Sequence, residues 1–167
     1  YPSARSGGAY NIIMTILDGK KVSNDIKNEI ANEVEKMKQR GEKVPHLAAI
    51  IVGNDGASKT YVNSKVKACE RVGFESSLFR MSSTISEIEL LDKIEELNQN
   101  DDIDGFIVQL PLPPQIDTQK VLNAVDPDKD VDGFHPTNFG KMALDMTTFI
   151  PATPFGILEL LERYDIP

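Results

Sequence analysis

Residues 47–52 read L-A-A-I-I-V, an unbroken apolar run that ends at Gly53. A run of this length without polar alternation is typical of a strand buried on both faces of a parallel sheet. Two further strands are predicted at residues 75–81 and at G-F-I-V-Q-L, residues 105–110, with helical patterns between them. This alternation of strands and helices predicts an α/β fold with three α/β/α layers around a mainly parallel sheet.

The helical segments are indicated by apolar residues that recur every three or four positions. Between residues 21 and 40 the recurring residues are Val22, Ile26, Ile30, Val34 and Met37, and Gly41 ends the pattern. Further helices are predicted at 57–72, at 85–98 with Thr84 or Ser86 as the N-cap, near 118–124, and from 153 or 154 to 163.

Composition limits the class of protein to which the chain can belong. Its 167 residues are 40% hydrophobic, which is enough for one buried core. A net charge of -8 without any Lys/Arg run argues against a nucleic-acid partner. No apolar run reaches the roughly 20 residues of a membrane span. The single cysteine, Cys69, excludes an internal disulfide and suits a reducing compartment, most simply the cytoplasm.

The two ends of the sequence differ from its middle. Residues 1–13 begin with the linker-like Y-P-S-A-R-S-G-G, and Met14 is a plausible natural start. We therefore treat 1–13 as a linker or an added extension and 14–167 as the folded domain. Because the chain stops directly after a predicted helix, we expect it to be a protein cut at a domain boundary.

Polar residues follow two of the predicted strands. Ligands of open parallel sheets bind beyond the carboxyl ends of the strands, so the loops after Val52 and Val108 are candidate sites. The helix after the first strand carries Y-V-N-S-K, residues 61–65, in which Tyr61 and Lys65 lie within about 40° of each other around the helix. Ser58 precedes them by one turn, and Gln109 closes the third strand.

Each of these features also has an ordinary structural explanation. A lysine stem that lies along a tyrosine ring is common on protein surfaces. A glutamine at the end of a strand can simply mark where the strand reaches solvent. Taken alone, the Tyr61–Lys65 pair and Gln109 favour these explanations, so the case for a site depends on the rest of the chain.

The acidic stretch D-P-D-K-D-V-D-G, residues 126–133, suggests calcium at first sight. It matches the first half of an EF-hand loop, but the closing glutamate is replaced by Phe139. We expect a solvated acidic turn, or a loop with one buried aspartate that accepts hydrogen bonds from a ligand. On the second alternative Asp132 is the buried residue, and Asp128 and Asp130 are solvated.

Other cofactor sites lack support in the sequence. The turn G-N-D-G at 53–56 has neither the glycine fingerprint of dinucleotide-binding domains nor a P-loop lysine. Two histidines far apart, with no cysteine cluster, leave no credible zinc site. We therefore predict no metal site and no nucleotide site in this chain.

Four motifs together carry a specific resemblance. They are Y-V-N-S-K at 61–65, G-F-I-V-Q-L-P-L-P at 105–113, D-K-D-V-D-G-F at 128–134 and P-A-T-P at 151–154. In this order they resemble the bifunctional methylenetetrahydrofolate dehydrogenase/cyclohydrolase family, from about residue 14 to the end. The resemblance covers the N-terminal, folate-binding catalytic domain of the family. It implies that the second domain, a Rossmann domain, is missing from this sequence.

The resemblance implies a role for each candidate residue. Lys65 is implied as the catalytic lysine, Tyr61 as the platform that stacks on the folate ring, and Gln109 as the residue that positions Lys65. Asp132 is implied to hydrogen-bond the pterin edge. The pocket would be completed by Ser58, Val108, Leu110 and Thr153, the last a peripheral position where some relatives carry cysteine.

The resemblance also implies the chemistry and the partners. The family oxidises 5,10-methylene-tetrahydrofolate and hydrolyses the methenyl product to 10-formyl-tetrahydrofolate. The oxidant, NADP or in its place NAD, would be bound by the absent Rossmann domain, so no cofactor-binding residue is expected here. Folate would be the substrate, the full-length protein a homodimer and the fragment a monomer. The competing hypothesis is a truncated, non-catalytic module that binds folate or another protein.

Overall fold

The computed structural model describes residues 16–53 and 56–166, without the side chains of residues 57 and 59. Its strands are β1 (His46–Val52), β2 (Glu75–Met81) and β3 (Gly105–Val108). Its helices are α1 (Gly19–Gln39), α2 (Gly56–Val72), α3 (Glu87–Asn98), α4 (Thr118–Ala124), α5 (Pro136–Ala143) and α6 (Ala152–Glu162). The predicted extension, residues 1–13, lies outside the described residues.

The three strands form one parallel sheet in the order β2-β1-β3. In this register Ala49 of β1 lies opposite Leu78 of β2 and Ile107 of β3. The apolar run that begins at residue 47 is therefore the central strand, with a neighbour on each side. Its residues from Ala48 to Val52 are all buried, and the predicted parallel sheet is confirmed.

Helices cover both faces of the sheet, because successive residues of β1 point to opposite sides. On one face Ala48, Ile50 and Val52 join a core with side chains of α3 and α4, including Leu90 and Val121. On the other face Ala49 and Ile51 pack with Val62 of α2. Helix α1 packs against α2. The predicted three-layer α/β/α arrangement is thus confirmed.

Local signals explain where two of the helices begin. Ser86 caps α3 by accepting a hydrogen bond from Glu89 N, and the Glu89 side chain accepts in return from Ser86 N, so Ser86 is the N-cap. Helix α5 was not predicted. It begins at Pro136, and the ring of His135 accepts from Thr137 N at 3.1 Å. Proline at the first helical position is favoured because the missing N–H has no partner to lose there.

Strand β3 is shorter than predicted. It ends at Val108, although Gln109 N still donates to Ile50 O at 2.9 Å. The peptide bond between Leu110 and Pro111 is cis. Gln109 lies at the carboxyl edge of the sheet, because β3 ends one residue before it. None of the described helices is both long enough and apolar enough to cross a membrane.

Candidate active site

A cavity of about 310 Å³ lies at the carboxyl edge of the sheet, where β1 and β3 end side by side. The chain passes from β1 to β2 on one side and then to β3 on the other, so the edge between β1 and β3 is a topological switch point, the usual ligand position in such sheets. The cavity is lined by Tyr61, Lys65, Val108, Gln109, Leu110, Asp132, Phe134, Pro151, Ala152, Thr153 and Pro154.

The structure thus brings together seven of the eight predicted site residues. The eighth, Ser58, is partly buried on α2 and does not line the cavity. Four lining residues were not predicted individually: Phe134, Pro151, Ala152 and Pro154. Phe134 and the other three lie within the motifs D-K-D-V-D-G-F and P-A-T-P, so the motifs contained the signal but the sequence did not show which members face the cavity.

Helix α2 presents Tyr61 and Lys65 beside its buried stripe. Val62 and Cys69 face the interior, and their neighbours on the helix surface reach the cavity instead. The Lys65 ammonium lies 4.7 Å from the centre of the Tyr61 ring, a cation–π distance. Because 53% of Tyr61 remains exposed, the ring is also available to stack against a flat ligand.

Lys65 faces Asp132 across the cavity. The distance from Nζ to Oδ1 is 3.6 Å, and each side chain is only 24% exposed. Burial raises the pKa of the Asp132 carboxyl, the Lys65 ammonium acts to lower it, and the negative charge of Asp130 adds to the rise. Asp132 is therefore a carboxylate whose ionisation depends on the cation opposite it.

Gln109 enters the cavity from the end of β3. Its Nε2 donates a 2.7 Å hydrogen bond to the carbonyl of the next residue, Leu110. This bond fixes the amide plane beside Lys65, but within the described residues no hydrogen bond joins the two side chains. That Gln109 positions Lys65 stays a prediction.

The prediction that Asp128 and Asp130 are both solvated is wrong for Asp130. Asp128 is exposed, whereas Asp130 is 4% exposed. The Asp130 carboxylate accepts hydrogen bonds from His135 N at 2.7 Å and from Asn138 Nδ2 at 3.0 Å. Both donors belong to the start of α5, the helix that the sequence did not reveal, and this is why the burial of Asp130 could not be foreseen.

A second cavity is larger, about 640 Å³, and lies between α1, α2 and α6. Its lining is almost entirely apolar, and it includes Cys69, whose thiol pKa is raised by burial. A thiol held in its protonated form is a poor nucleophile. The smaller cavity is the better candidate, since it contains an amine, a carboxylate and an amide. In the described part of the chain no three His, Cys, Asp or Glu side chains are grouped to hold a metal ion.

Comparison with known families identifies the domain. Residues 17–132 match the family described as tetrahydrofolate dehydrogenase/cyclohydrolase, catalytic domain. The chain belongs to this family. The tetrahydrofolate dehydrogenase/cyclohydrolase resemblance that the four motifs carry is therefore confirmed.

Individual relatives of the tetrahydrofolate dehydrogenase/cyclohydrolase family agree with this assignment. Bifunctional protein FolD of Christiangramia forsetii is 90% identical over 154 residues, which are 92% of this chain and 52% of the relative. The crystal structure of the FolD methylenetetrahydrofolate dehydrogenase/cyclohydrolase from Campylobacter jejuni has a TM-score of 0.89 at 43% identity, over 92% of this chain and 55% of that one.

A more distant structure shows the same fold. The FolD enzyme of Trypanosoma brucei, solved in complex with NADP and an inhibitor, has a TM-score of 0.86 at 30% identity, over 90% of this chain and 52% of that one. The chain spans about half the length of the curated relatives it matches.

Proposed function

We propose that this chain is the folate-binding catalytic half of a bifunctional methylenetetrahydrofolate dehydrogenase/cyclohydrolase. The full-length protein oxidises 5,10-methylene-tetrahydrofolate to the methenyl form and hydrolyses it to 10-formyl-tetrahydrofolate. The observation that carries the proposal is the meeting of Tyr61, Lys65, Gln109 and Asp132 in one cavity at the switch point of the sheet.

Substrate recognition divides between Tyr61 and Asp132. A pterin is flat and heteroaromatic, so the half-exposed Tyr61 ring offers it a stacking surface. The amino-pyrimidinone edge of the pterin carries N–H donors, and the Asp132 carboxylate is an acceptor that forms charge-assisted bonds with such donors. Val108, Leu110 and Thr153 line the same cavity and complete the surroundings of the substrate. Ser58 lies outside this lining, and its contact with the substrate stays a prediction.

Lys65 is the group that handles protons during hydrolysis. Water attacks the carbon of the cationic methenyl group, and Lys65 accepts one proton from that water. Lys65 returns this proton to the folate nitrogen as the bond from that nitrogen to carbon breaks, and the second water proton is released to solvent as the formyl C=O forms. Lysine acts as a base only in its neutral form. A folate bound to Asp132 also takes over the carboxylate that faces Lys65 at 3.6 Å, so binding of substrate loosens the ion pair before the chemistry.

Gln109 is the positioning residue for Lys65 in this proposal. Its Nε2 is held by the Leu110 carbonyl, which leaves its Oε1 as the acceptor for Lys65 or for the attacking water. The bond to Leu110 explains why the side chain keeps one orientation at the end of β3.

The hydride acceptor of the full-length protein is NADP, or NAD in its place. The sequence contains no dinucleotide-binding glycine fingerprint, and the residues that line the cavity include no glycine. A pyrophosphate needs a glycine turn at which the backbone can approach it. The cofactor is therefore held by residues outside this chain. We also propose that the full-length protein is a homodimer in the cytoplasm.

The test is the absorbance of methenyl-tetrahydrofolate mixed with this chain. Accelerated loss of the methenyl band supports cyclohydrolase activity. A spectral shift without accelerated loss indicates a folate-binding module without catalysis, and no change at saturating protein contradicts both. Calorimetry with NADP serves as the control for the cofactor assignment, because micromolar binding to this chain would contradict it.

A further inference from the structure

Two buried polar side chains of the described chain, Asp130 and Asn138, form one hydrogen-bonded unit. Asn138 is 1% exposed, and its Nδ2 donates to Asp130 Oδ2 at 3.0 Å and to Pro127 O at 2.8 Å. Its Oδ1 accepts from Thr148 Oγ1 at 2.9 Å. Asp130 takes part in no ion pair among the described residues, so hydrogen bonds alone compensate the burial of its charge.

The first part of this unit fixes the loop that carries Asp132. Backbone pairing between Phe106 and Asp130 anchors the start of the loop to β3. The Asp130 carboxylate then accepts from His135 N at 2.7 Å, and Gly133 N donates to the Asp130 carbonyl at 3.2 Å. Asp132 lies inside the loop that both bonds close, so they restrict its position.

The second part fixes the opposite wall of the cavity. Thr148 belongs to the segment that leads into Pro151–Pro154, the residues at the start of α6 that line the cavity. This segment also touches the loop directly. Gly133 has a φ of +68°, and a Cβ placed there would lie 2.8 Å from Phe149 O and 3.0 Å from Pro151. The hydrogen bond from Thr148 to Asn138 thus joins two walls that already pack closely.

We propose that Asp130 and Asn138 are positioning residues, which hold the 130–135 loop and the 148–151 segment so that the Asp132 carboxylate stays opposite Lys65. The importance of that alignment rests on the proposed function. The alignment itself is a property of the free protein and can be measured without a ligand.

Substitution can separate the hydrogen bonds that the Asp130 side chain accepts from the effect of its negative charge. Both bonds that the side chain accepts reach the same oxygen, Oδ2. In the Asp130→Asn variant the amide oxygen can take that position and accept both hydrogen bonds, whereas the methyl group of the Asp130→Ala variant can accept neither. The negative charge of Asp130 contributes to the raised pKa of Asp132, so Asp130→Asn lowers that pKa while it keeps the loop in place.

The test is a double-mutant cycle read by NMR titration of the Asp132 carboxyl. Lys65→Met raises the Asp132 pKa in the wild-type background, because Lys65 lowers it. In the Asp130→Ala background we expect this rise to shrink by half or more, since the carboxylate no longer stays opposite Lys65. In the Asp130→Asn background we expect the full rise. An equal rise of the Asp132 pKa in all three backgrounds would overturn the proposal. A rise that shrinks as much in Asp130→Asn as in Asp130→Ala would also overturn it.

A second pair of variants keeps the test decisive if circular dichroism shows that Asp130→Ala does not fold. Thr148→Val replaces the hydroxyl donor to Asn138 with a methyl group and keeps the branched shape, and Thr148→Ser retains the hydroxyl. We expect a reduced rise in Thr148→Val and the full rise in Thr148→Ser, and equal rises would overturn the proposal. Because no folate is used, failure of methenyl-tetrahydrofolate to bind would contradict the proposed function and leave this result unaffected.

Discussion

Lys65 of α2 and Asp132 of the loop before α5 lie 3.6 Å apart across the cavity, although 67 residues separate them in sequence. The sheet order explains the contact. Helix α2 follows β1, and Asp132 follows the segment that pairs with β3, so two neighbouring parallel strands deliver the cation and the carboxylate to the same edge. The sequence around either residue does not indicate that the two side chains face each other.

Lys65→Met is expected to abolish nearly all hydrolysis of methenyl-tetrahydrofolate while the fold is kept. Methionine preserves the apolar stem but cannot carry a proton, and general acid–base groups contribute roughly two to four orders of magnitude in rate. The matched control is Lys67→Met, a change at an exposed lysine that lies about 200° around the same helix. A loss below about tenfold in Lys65→Met, or equal losses in the two variants, would remove Lys65 from the chemistry.

Asp132→Ala is expected to weaken binding of 5-formyl-tetrahydrofolate, a stable reduced folate, by roughly one to two orders of magnitude. The reason is that unpaired pterin donors cost about 1–3 kcal/mol. Asp132→Asn keeps one acceptor oxygen and is expected to lie between the wild type and Asp132→Ala. The control is Asp128→Ala at an exposed position of the same loop, where we expect a change below about threefold. Equal weakening at both positions would indicate general loop charge.

The sequence predicted the parallel sheet and its layers because these depend on strong local patterns. The run at residues 47–52 has no polar interruption, and the helices around it keep their apolar spacing over several turns. Helix α5 escaped prediction since its 8 residues are too few to show a period. Its only signals are Pro136 and the cap from His135, which also suit a turn.

The part of the site that lies at or just after the carboxyl ends of strands could be predicted from the sequence. Lys65, Tyr61 and Gln109 were placed by this rule, and their convergence needs only adjacent strands. Asp130 and Asp132 could not be distinguished in the same way, because alternating aspartates in a loop carry no burial signal. Asp130 is buried by contacts with the start of α5, whereas Asp132 is partly buried and lines the cavity, and both positions depend on tertiary packing.

Stability is expected to depend on pH through Asp132. Its pKa is raised by burial above the unfolded value of 3.8, so its contribution to stability is present below that value and is lost as the pH rises through the folded pKa. Relative to Asp132→Asn, which stays neutral, the wild type should therefore become less stable as the pH rises above the unfolded value of 3.8. Urea unfolding of both proteins from below this pH to neutral pH measures the difference. A constant difference, or one of opposite sign, would contradict the burial of this carboxylate.

Gly133→Ala and Gly140→Ala are expected to have opposite effects on the free energy of unfolding. At Gly133 the left-handed φ and the 2.8 Å approach to Phe149 O leave no room for a methyl group, so alanine should destabilise by more than about 1–2 kcal/mol. Gly140 lies in α5 with open space around it, and alanine there should stabilise by roughly 0.5–1 kcal/mol. Denaturant unfolding checks both changes. Equal effects would mean that the loop does not pack against the 148–151 segment.

The most direct test of the folate site is a crystal structure of this chain with 5-formyl-tetrahydrofolate. We expect the pterin to lie in the cavity of about 310 Å³, against the Tyr61 ring, with its N–H donors within hydrogen-bond distance of the Asp132 carboxylate. A pterin bound instead in the apolar cavity between α1, α2 and α6, with no ligand beside Lys65, would contradict it.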